Sequence, residues 1–255
     1  MLRRLLMIAL FAVSAPAFAE LSDIWWNPNE SGWGINMIQN EDVIFATMFV
    51  YGTNGVPTWY GGILNRDATT GRFAGSLFQS TGPYFGATTF DPGQVAVATV
   101  GSMSFAPGSA SDTGVLTYNV GAVSVTKNIQ RQTLKTIVLG GTYVGGFVAQ
   151  TSQCSNTANN VNRVFASQLV VTQLSNGTVQ LDLQPTNGVT CSLRGTATQV
   201  GQLFRIPNTT YTCTTGLSTS AVVYGLKQTA QGIEGQWQAS TGGNCIEDGR
   251  FSAVF

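Results

Sequence analysis

The residues available for acid–base chemistry in this sequence are carboxylates, because its 255 residues include no histidine. A Ser-His-Asp or Cys-His nucleophile and a histidine-ligated metal site each need an imidazole, so the sequence excludes them. No glycine-rich loop stands between a strand and a helix, which argues against a phosphate or dinucleotide cradle. We therefore predict no catalytic residue, no metal site and no cofactor.

The acidic residues do not form an obvious catalytic pair, although two carboxylates about 5–9 Å apart could hydrolyse a glycosidic bond. Glu30 lies among tryptophans, and the next acids along the chain are Glu41 and Asp42. A strand of about eight residues rises roughly 27 Å, so Glu30 and Glu41 should not meet across one hairpin. Glu247 and Asp248 are adjacent and should point to opposite faces or to solvent. A carboxylate-pair glycoside hydrolase therefore stays an alternative function without an identified pair.

An aromatic cluster near the amino terminus is the second candidate, and its chemistry would be binding. A two-residue turn at Asn40-Glu41 would pair Trp33 with Met48, and the following hairpin could bring Trp59 to the same face. Flat aromatic faces suit sugar rings and other apolar ligands, and neighbouring polar side chains can fix their orientation. The predicted ligand-binding residues are Trp33, Trp59, Tyr60, Glu30 and Asn36.

The same face could instead form a buried core stripe, since burial of aromatic side chains is favourable. Under the predicted register this face carries Trp33, Ile35, Met37, Ile44, Ala46, Met48 and Trp59. The opposite face would carry Gly34, Asn36, Ile38, Phe45, Thr47, Phe49 and, depending on the register, Tyr60. Both faces are largely apolar, so the sequence leaves the core stripe and the ligand groove as alternatives.

The elements that must position these residues are β-strands. Segments of alternating polarity rich in Val, Ile, Thr, Phe and Tyr recur between clusters of Gly, Asn, Asp and Pro. This pattern predicts an all-β, antiparallel fold of the sandwich or barrel type. We expect two β lobes of seven or eight strands, a tryptophan-rich lobe at residues 20–136 and a disulfide-bonded lobe at residues 137–255.

The four cysteines all lie in the second half of the chain and predict two disulfides. Cys191 and Cys213 lie symmetrically about Gln202, so an antiparallel hairpin would bring them opposite each other. The symmetry requires a turn of odd length or a bulge. This pairing leaves Cys154 for Cys245, which would join the start of the lobe to its last strand.

The amino terminus has the three parts of a secretory signal peptide at residues 1–19. Arg3 and Arg4 precede an apolar run, and Ala17-Phe18-Ala19 is a small-x-small cleavage site before Glu20. The apolar run is shorter than the roughly 20 residues that span a bilayer. We expect a secreted or periplasmic protein.

The charge balance argues against a nucleic-acid partner. Two of the 12 basic residues lie in the signal peptide, so 10 basic and 12 acidic residues remain, a net charge of −2. With only 9% charged residues, the chain lacks the basic field that nucleic acids require and has no basic amphipathic helix for a membrane surface.

An outer-membrane β-barrel is a further alternative for the fold and the location. Phe251, Ala253 and Phe255 alternate at the carboxyl terminus, which partly matches the last strand of such a barrel. Gly249 and Glu247 interrupt that apolar alternation, and most predicted strands have no continuous outward apolar row. A membrane location is therefore the less favoured expectation.

Several motifs of the first lobe form a recognisable series. They are Trp26-Asn27-Pro28-Asn29-Glu30-Ser31-Gly32-Trp33-Gly34, Ile44-Phe45-Ala46-Thr47-Met48-Phe49 and Gly55-Val56-Pro57-Thr58-Trp59. The series resembles a group of secreted proteobacterial proteins of unknown function that share a WNPxESGWG…IFATWF…GxPxW module. Met48 stands where that module has a tryptophan. The resemblance covers the first lobe and implies export, and it gives no indication of an activity.

Together these features predict an exported, non-catalytic β-protein that recognises a saccharide or a small apolar ligand. A structural or protein-interaction protein of the cell envelope is the principal alternative, because a sealed core would leave no ligand groove.

We expect signal peptidase to cleave the chain after Ala19. Amino-terminal sequencing of protein from fractionated cells should give Glu20-Leu21-Ser22 in the periplasm or the medium. Recovery only from the detergent-extracted outer membrane would contradict this and favour the outer-membrane alternative.

Overall fold

In the computed structural model, which describes residues 20–255, the chain forms two closed antiparallel β-barrels. The predicted signal peptide lies outside the described residues. Both sheets are antiparallel throughout, and each barrel closes where its first and last strands pair. The predicted all-β fold is confirmed, and the barrel is the form that it takes.

The first barrel contains eight strands in sequential order. Strands β1–β8 are Asp23–Trp26, Gly34–Asn40, Val43–Tyr51, Pro57–Arg66, Phe73–Thr81, Ala96–Pro107, Thr113–Val120 and Val123–Arg131. A 3-10 helix, Pro92–Gln94, lies in the connection before β6. The short β1, which the sequence did not predict, pairs with β2 and β8 and so closes the barrel.

The second barrel is also a meander, with β9 paired to β17. Strands β9–β17 are Gly141–Ser152, Asn162–Gln173, Thr178–Pro185, Cys191–Thr196, Thr198–Val200, Leu203–Cys213, Ser218–Gln228, Gly232–Gly242 and Cys245–Val254. Strands β12 and β13 follow one another along β14 and together serve as one strand of the barrel. A second 3-10 helix, Thr157–Asn159, lies between β9 and β10.

The first hairpin has a different register from the predicted one. Asn40 pairs with Val43, so the turn residues are Glu41 and Asp42, and Glu41 adopts a φ of 52°. Met48 consequently pairs with Ile35 instead of the predicted Trp33. The shift is two residues, and because side chains alternate with a period of two, the face predicted for each residue of this hairpin is unchanged.

Each barrel has an apolar interior. The first contains Trp25, Ile35, Met37, Ile44, Met48, Leu64, Leu77, Met103, Phe105 and Leu116. The second contains Tyr143, Leu169, Leu181, Leu193, Ile206, Val223, Leu226, Ile233, Trp237 and Phe251. Within residues 20–255 no helix has the length and hydrophobicity needed to cross a membrane.

Both predicted disulfides are confirmed. Cys191 lies opposite Cys213 in the β12–β14 ladder, and Cys154 is bonded to Cys245. The predicted bulge is also present. Arg205 pairs with Thr198 and Thr210 pairs with Arg194, so five residue steps along β14 face four steps on the opposite side. Cys154–Cys245 closes a separation of 91 residues at the junction of β9 and β17, worth about 4–5 kcal/mol in the chain-entropy model. Two disulfides indicate an oxidising compartment outside the cytoplasm.

Arg131, the last residue of β8, is a buried charge at the closure of the first barrel and is 2% exposed. Its guanidinium donates to Asp23 Oδ2 at 3.0 Å and to the Ser111 carbonyl at 2.7 Å. It also donates to the Glu20 carbonyl and lies 4.9 Å from the centre of the Trp25 ring. These acceptors offset the cost of removing the charge from water.

Gly201 brings the second barrel against this buried ion pair. It lies in the turn between β13 and β14 with a φ of +66°, and its N–H donates to Thr133 Oγ1 at 2.9 Å. A Cβ at this position would lie 2.5 Å from the Arg131 Cβ and 2.8 Å from Asp23 Oδ2. Only glycine therefore allows this turn to approach the closure of the first barrel.

The connection between the barrels, residues 132–140, is held from the second barrel. The Gln199 side chain accepts from the Ile137 N–H at 3.0 Å and donates to the Lys135 carbonyl at 2.8 Å. Arg205 also reaches across to the buried Asp112, with nitrogen and oxygen 3.4 Å apart. Side-chain contacts thus fix how the two barrels meet.

We expect Arg131→Met to lower the free energy of unfolding by about 3–5 kcal/mol, because it leaves the Asp23 carboxylate buried without its cation. Urea unfolding followed by tryptophan fluorescence measures the change. The control Arg194→Met alters an exposed arginine of β12 and should stay within about 0.5 kcal/mol of the parent. Equal midpoints for the two variants would show that the buried pair does not stabilise the fold.

Candidate binding site at the far end of the first barrel

The two ends of the first barrel differ in what they contact. In a meander the connections alternate between ends, so 27–33, 52–56, 82–95 and 121–122 share one end. The opposite end carries Arg131 and faces the second barrel. We call the first of these the far end, because its connections lead away from the second barrel.

A small aromatic groove lies on the outer wall at the far end. Phe49 and Tyr51 from β3 and Trp59 from β4 line it, with 56%, 57% and 45% of their surfaces exposed. Its volume is about 140 Å³. The remaining lining residues are Gly32, Val50, Pro57 and Thr58. Three exposed aromatic rings, one of which carries a hydroxyl group, thus share one accessible surface.

The strand register explains why these rings are adjacent. Phe49 lies directly opposite Trp59, and Tyr51 lies opposite Pro57. On its other side Phe49 pairs with Gly34, which has no side chain to cover the ring. The ladder between β3 and β4 therefore presents Phe49 and Trp59 as neighbours on one face.

The connection 27–33 is held in place by a carboxylate that accepts two hydrogen bonds. Glu30 Oε2 accepts from Trp33 Nε1 at 3.1 Å, and Glu30 Oε1 accepts from Lys127 Nζ at 2.8 Å. The hydrogen bond from Lys127 is the main cause of a lowered Glu30 pKa; the bond from Trp33 adds to it and desolvation opposes it. These bonds tie the connection to β8.

Gly32 lies in the same connection and lines the groove. Its φ of +111° favours glycine, and a Cβ there would lie 3.4 Å from the Tyr51 hydroxyl oxygen. The backbone of the connection 27–33 therefore forms one wall of the groove beside Tyr51. Because Glu30 and Trp33 flank Gly32 closely in sequence, their hydrogen bond keeps this wall in position.

Trp33, Tyr60 and Tyr118 pack against the apolar interior at the far end. Tyr60 pairs with Met48 and so faces inward. Desolvation raises the pKa of Tyr118, Lys127 counteracts it, and Glu30 and Tyr60 add to it. These residues close the mouth of the barrel.

The structure separates the residues that the sequence placed in one site. Trp59 lies in the aromatic groove, whereas Trp33 and Tyr60 pack against the barrel interior and Glu30 anchors the connection 27–33. The prediction that Trp33 and Trp59 share a face is wrong, because Trp59 pairs with the outward Phe49. Asn36 is exposed opposite Thr47 and does not line the groove.

Sequence reasoning missed Phe49, Tyr51 and Lys127. The first two could have been found, because Phe45, Phe49 and Tyr51 occupy odd positions of β3 while the buried Ile44, Ala46 and Met48 occupy even ones. Nothing local indicates Lys127, which meets Glu30 across 97 residues.

A longer aromatic connection also lies at the far end. Residues 82–95 carry the exposed Tyr84, Phe85 and Phe90, and the first two rings have centroids 4.7 Å apart. The far end therefore carries exposed aromatic rings on a connection as well as on the barrel wall.

The acidic residues of the second barrel do not form a catalytic pair. Glu247 is buried in the barrel and accepts from Trp237 Nε1 at 3.0 Å, whereas Asp248 is exposed and accepts from Gln238. The two carboxylates point to opposite faces, as predicted. In the described part of the chain, no three Cys, Asp or Glu side chains are grouped to hold a metal ion.

The lowered Glu30 pKa predicts how the anchor responds to acid. A folded-state pKa below the ordinary glutamate value of 4.5 means that the anchor is intact above about pH 4.5 and is lost as the pH falls through the folded pKa. The NMR signal of the Trp33 indole N–H should therefore titrate with a midpoint below 4.5. Glu30→Gln should abolish the titration and Lys127→Met should raise its midpoint. A midpoint above 4.5 in the parent would contradict the anchor.

Comparisons with protein-family models and with curated proteins find no match to this chain. The functional proposal therefore rests on the geometry of the described residues.

Proposed function

We propose that the protein is an exported, non-catalytic recognition module whose first barrel binds a saccharide at the aromatic groove. The observation that supports this most directly is the set of three neighbouring, exposed rings of Phe49, Tyr51 and Trp59. Large exposed aromatic side chains are unfavourable in water unless a partner covers them, and they cluster at binding sites. The two disulfides and the features of residues 1–19 support export.

The chemistry of the groove favours a sugar over a purely apolar ligand. Sugar rings have apolar C–H faces and hydroxyl edges, and the groove combines aromatic faces with the hydroxyl group of Tyr51. The ladder and the Glu30 anchor hold its walls, so binding orders few side chains and costs little entropy. A shallow groove of about 140 Å³ suits one ring of a longer chain.

The lack of an acid pair at the groove supports binding without hydrolysis. The groove itself contains no acidic residue, and Glu30 beside it is already bonded to Trp33 and Lys127. The acids of the first hairpin turn, Glu41 and Asp42, lie at the other end of the barrel. A glycosidase would need two carboxylates across one cleft.

Trp59→Ala should leave the fold intact and weaken saccharide binding about tenfold, since an aromatic contact is worth about 1–1.5 kcal/mol. Because Trp59 is half-exposed, the free energy of unfolding should fall by no more than about 1 kcal/mol. Calorimetric titration with cello-, chito- and malto-oligosaccharides measures the affinity without relying on the deleted fluorophore. Thermal unfolding checks the stability.

Phe45→Ala is the matched control, because Phe45 is 46% exposed on the same outward face of β3 but does not line the groove. It should bind the oligosaccharides as the parent does. A Trp59→Ala protein that collapses and becomes protease-sensitive would show that Trp59 is structural. Parent protein that binds a small aromatic probe and none of the sugars would overturn the saccharide assignment.

A further inference from the structure

A second, larger depression lies between the two barrels and is lined by both. Its volume is about 800 Å³, within the range of about 300–1,000 Å³ that is common for ligand sites. The second barrel forms the floor, and Glu20 and the turn at residues 109–111 of the first barrel form the opposing wall. We call this depression the inter-barrel cleft. Ligand sites occur preferentially where domains meet.

The floor of the cleft is a row of outward-facing side chains from adjacent strands. Tyr224 of β15 pairs with Gln236 of β16, and Gln236 pairs with Arg250 of β17. Arg250 in turn pairs with Val148 of β9, so one row crosses four strands. A phenol, an amide and a guanidinium therefore lie side by side and point into the cleft.

A second row lies beside it. Lys227 of β15 pairs with Glu234 of β16. Within the described residues, the side chains of Lys227, Glu234 and Arg250 make no hydrogen bond within 3.5 Å and no ion pair within 4.0 Å. Gly225, at a φ of +59°, lies in the bulge that separates Tyr224 from Lys227 and so sets the spacing of the two rows.

Tyr224 supplies a ring that is half-buried at the edge of the floor. Desolvation is the main cause of its raised pKa, with Asp248 adding to it and Arg250 opposing it. The phenol is therefore neutral at physiological pH and can both donate and accept a hydrogen bond. Its ring can also support a flat ligand face.

The mixture of charges on the cleft limits the chemistry of its ligand. An anion would meet the carboxylates of Glu234 and Glu20, and a cation would meet Arg250 and Lys227. An apolar ligand would remove these charged groups from water without giving them partners, which is costly. Hydroxyl groups both donate and accept hydrogen bonds, so a ligand rich in hydroxyls can bind side chains of both signs.

We infer that the inter-barrel cleft is a second binding site and that it takes a neutral oligosaccharide. Gln236 and Arg250 bind hydroxyl groups of the sugar, and the Tyr224 ring packs against one face of it. This site is separate from the aromatic groove, which lies at the far end of the first barrel. Either site can exist without the other.

The test uses isotope-labelled full-length mature Trp59→Ala protein, in which the groove is weakened, titrated with cellotriose, maltotriose and chitotriose. At least one of these neutral trisaccharides should shift the amide signals of Tyr224, Gln236 and Arg250. Gln236→Ala and Arg250→Ala should each weaken that binding about tenfold, the value of one hydrogen bond to a charged or buried group. Unchanged thermal unfolding would show that these variants fold.

Gln238→Ala is the matched control, since Gln238 is the next outward glutamine of β16 and lies outside the cleft. It should leave the affinity unchanged. The inference is overturned if no neutral trisaccharide shifts these signals at millimolar concentration, or if trigalacturonate binds more tightly than the neutral sugars. Parent protein that binds a sugar at the aromatic groove but not at the cleft would overturn this inference and leave the proposed function standing. Parent protein that binds a sugar at the cleft but not at the groove would overturn the proposed function and leave this inference standing.

Discussion

A guanidinium buried away from water needs hydrogen-bond acceptors in fixed positions. The acceptors of Arg131 lie at the closure of the first barrel. Asp23 lies on β1 and Arg131 ends β8, so their ion pair joins the two strands that meet there. Those strands share only two register pairs, which is a short ladder for closing a barrel. The turn at Gly201 packs directly against the same ion pair, so this buried interaction lies both at the closure of the first barrel and at one of its contacts with the second.

Different interactions hold the first and last strands together in the two barrels. In the first, the Asp23–Arg131 and Glu30–Lys127 ion pairs join β8 to β1 or to the connection after it. In the second, β9 and β17 share a ladder of nine register pairs, and the Cys154–Cys245 disulfide lies at its end. A short ladder is thus accompanied by a buried charge network, and a long one by a covalent bond.

Much of this architecture follows from local patterns, and the remainder depends on contacts between distant residues. Alternation along β2 and β3 gives the correct faces even with a register error of two residues, because side chains alternate with that period. The loop at residues 52–56 is different, because a change of one residue in its effective length exchanges the two faces of β4. The predicted register placed Trp59 on the inward face, whereas Tyr60 occupies that face. The symmetry of Cys191 and Cys213 was informative because strand pairing there is local in sequence. Strand β1 and Lys127 act across the whole first barrel, and no local signal marks them.

The way each barrel closes also bears on how the protein survives outside the cytoplasm. An opened barrel presents two unpaired strand edges, and such edges readily pair with other chains. The ladder between β1 and β8 has the fewest register pairs, so detachment of β1 would break the fewest strand-to-strand contacts and would expose both edges. The charged cluster around Arg131 and the connection anchored by Glu30 hold that strand from both of its ends. They therefore oppose the edge-to-edge association that an opened barrel would allow.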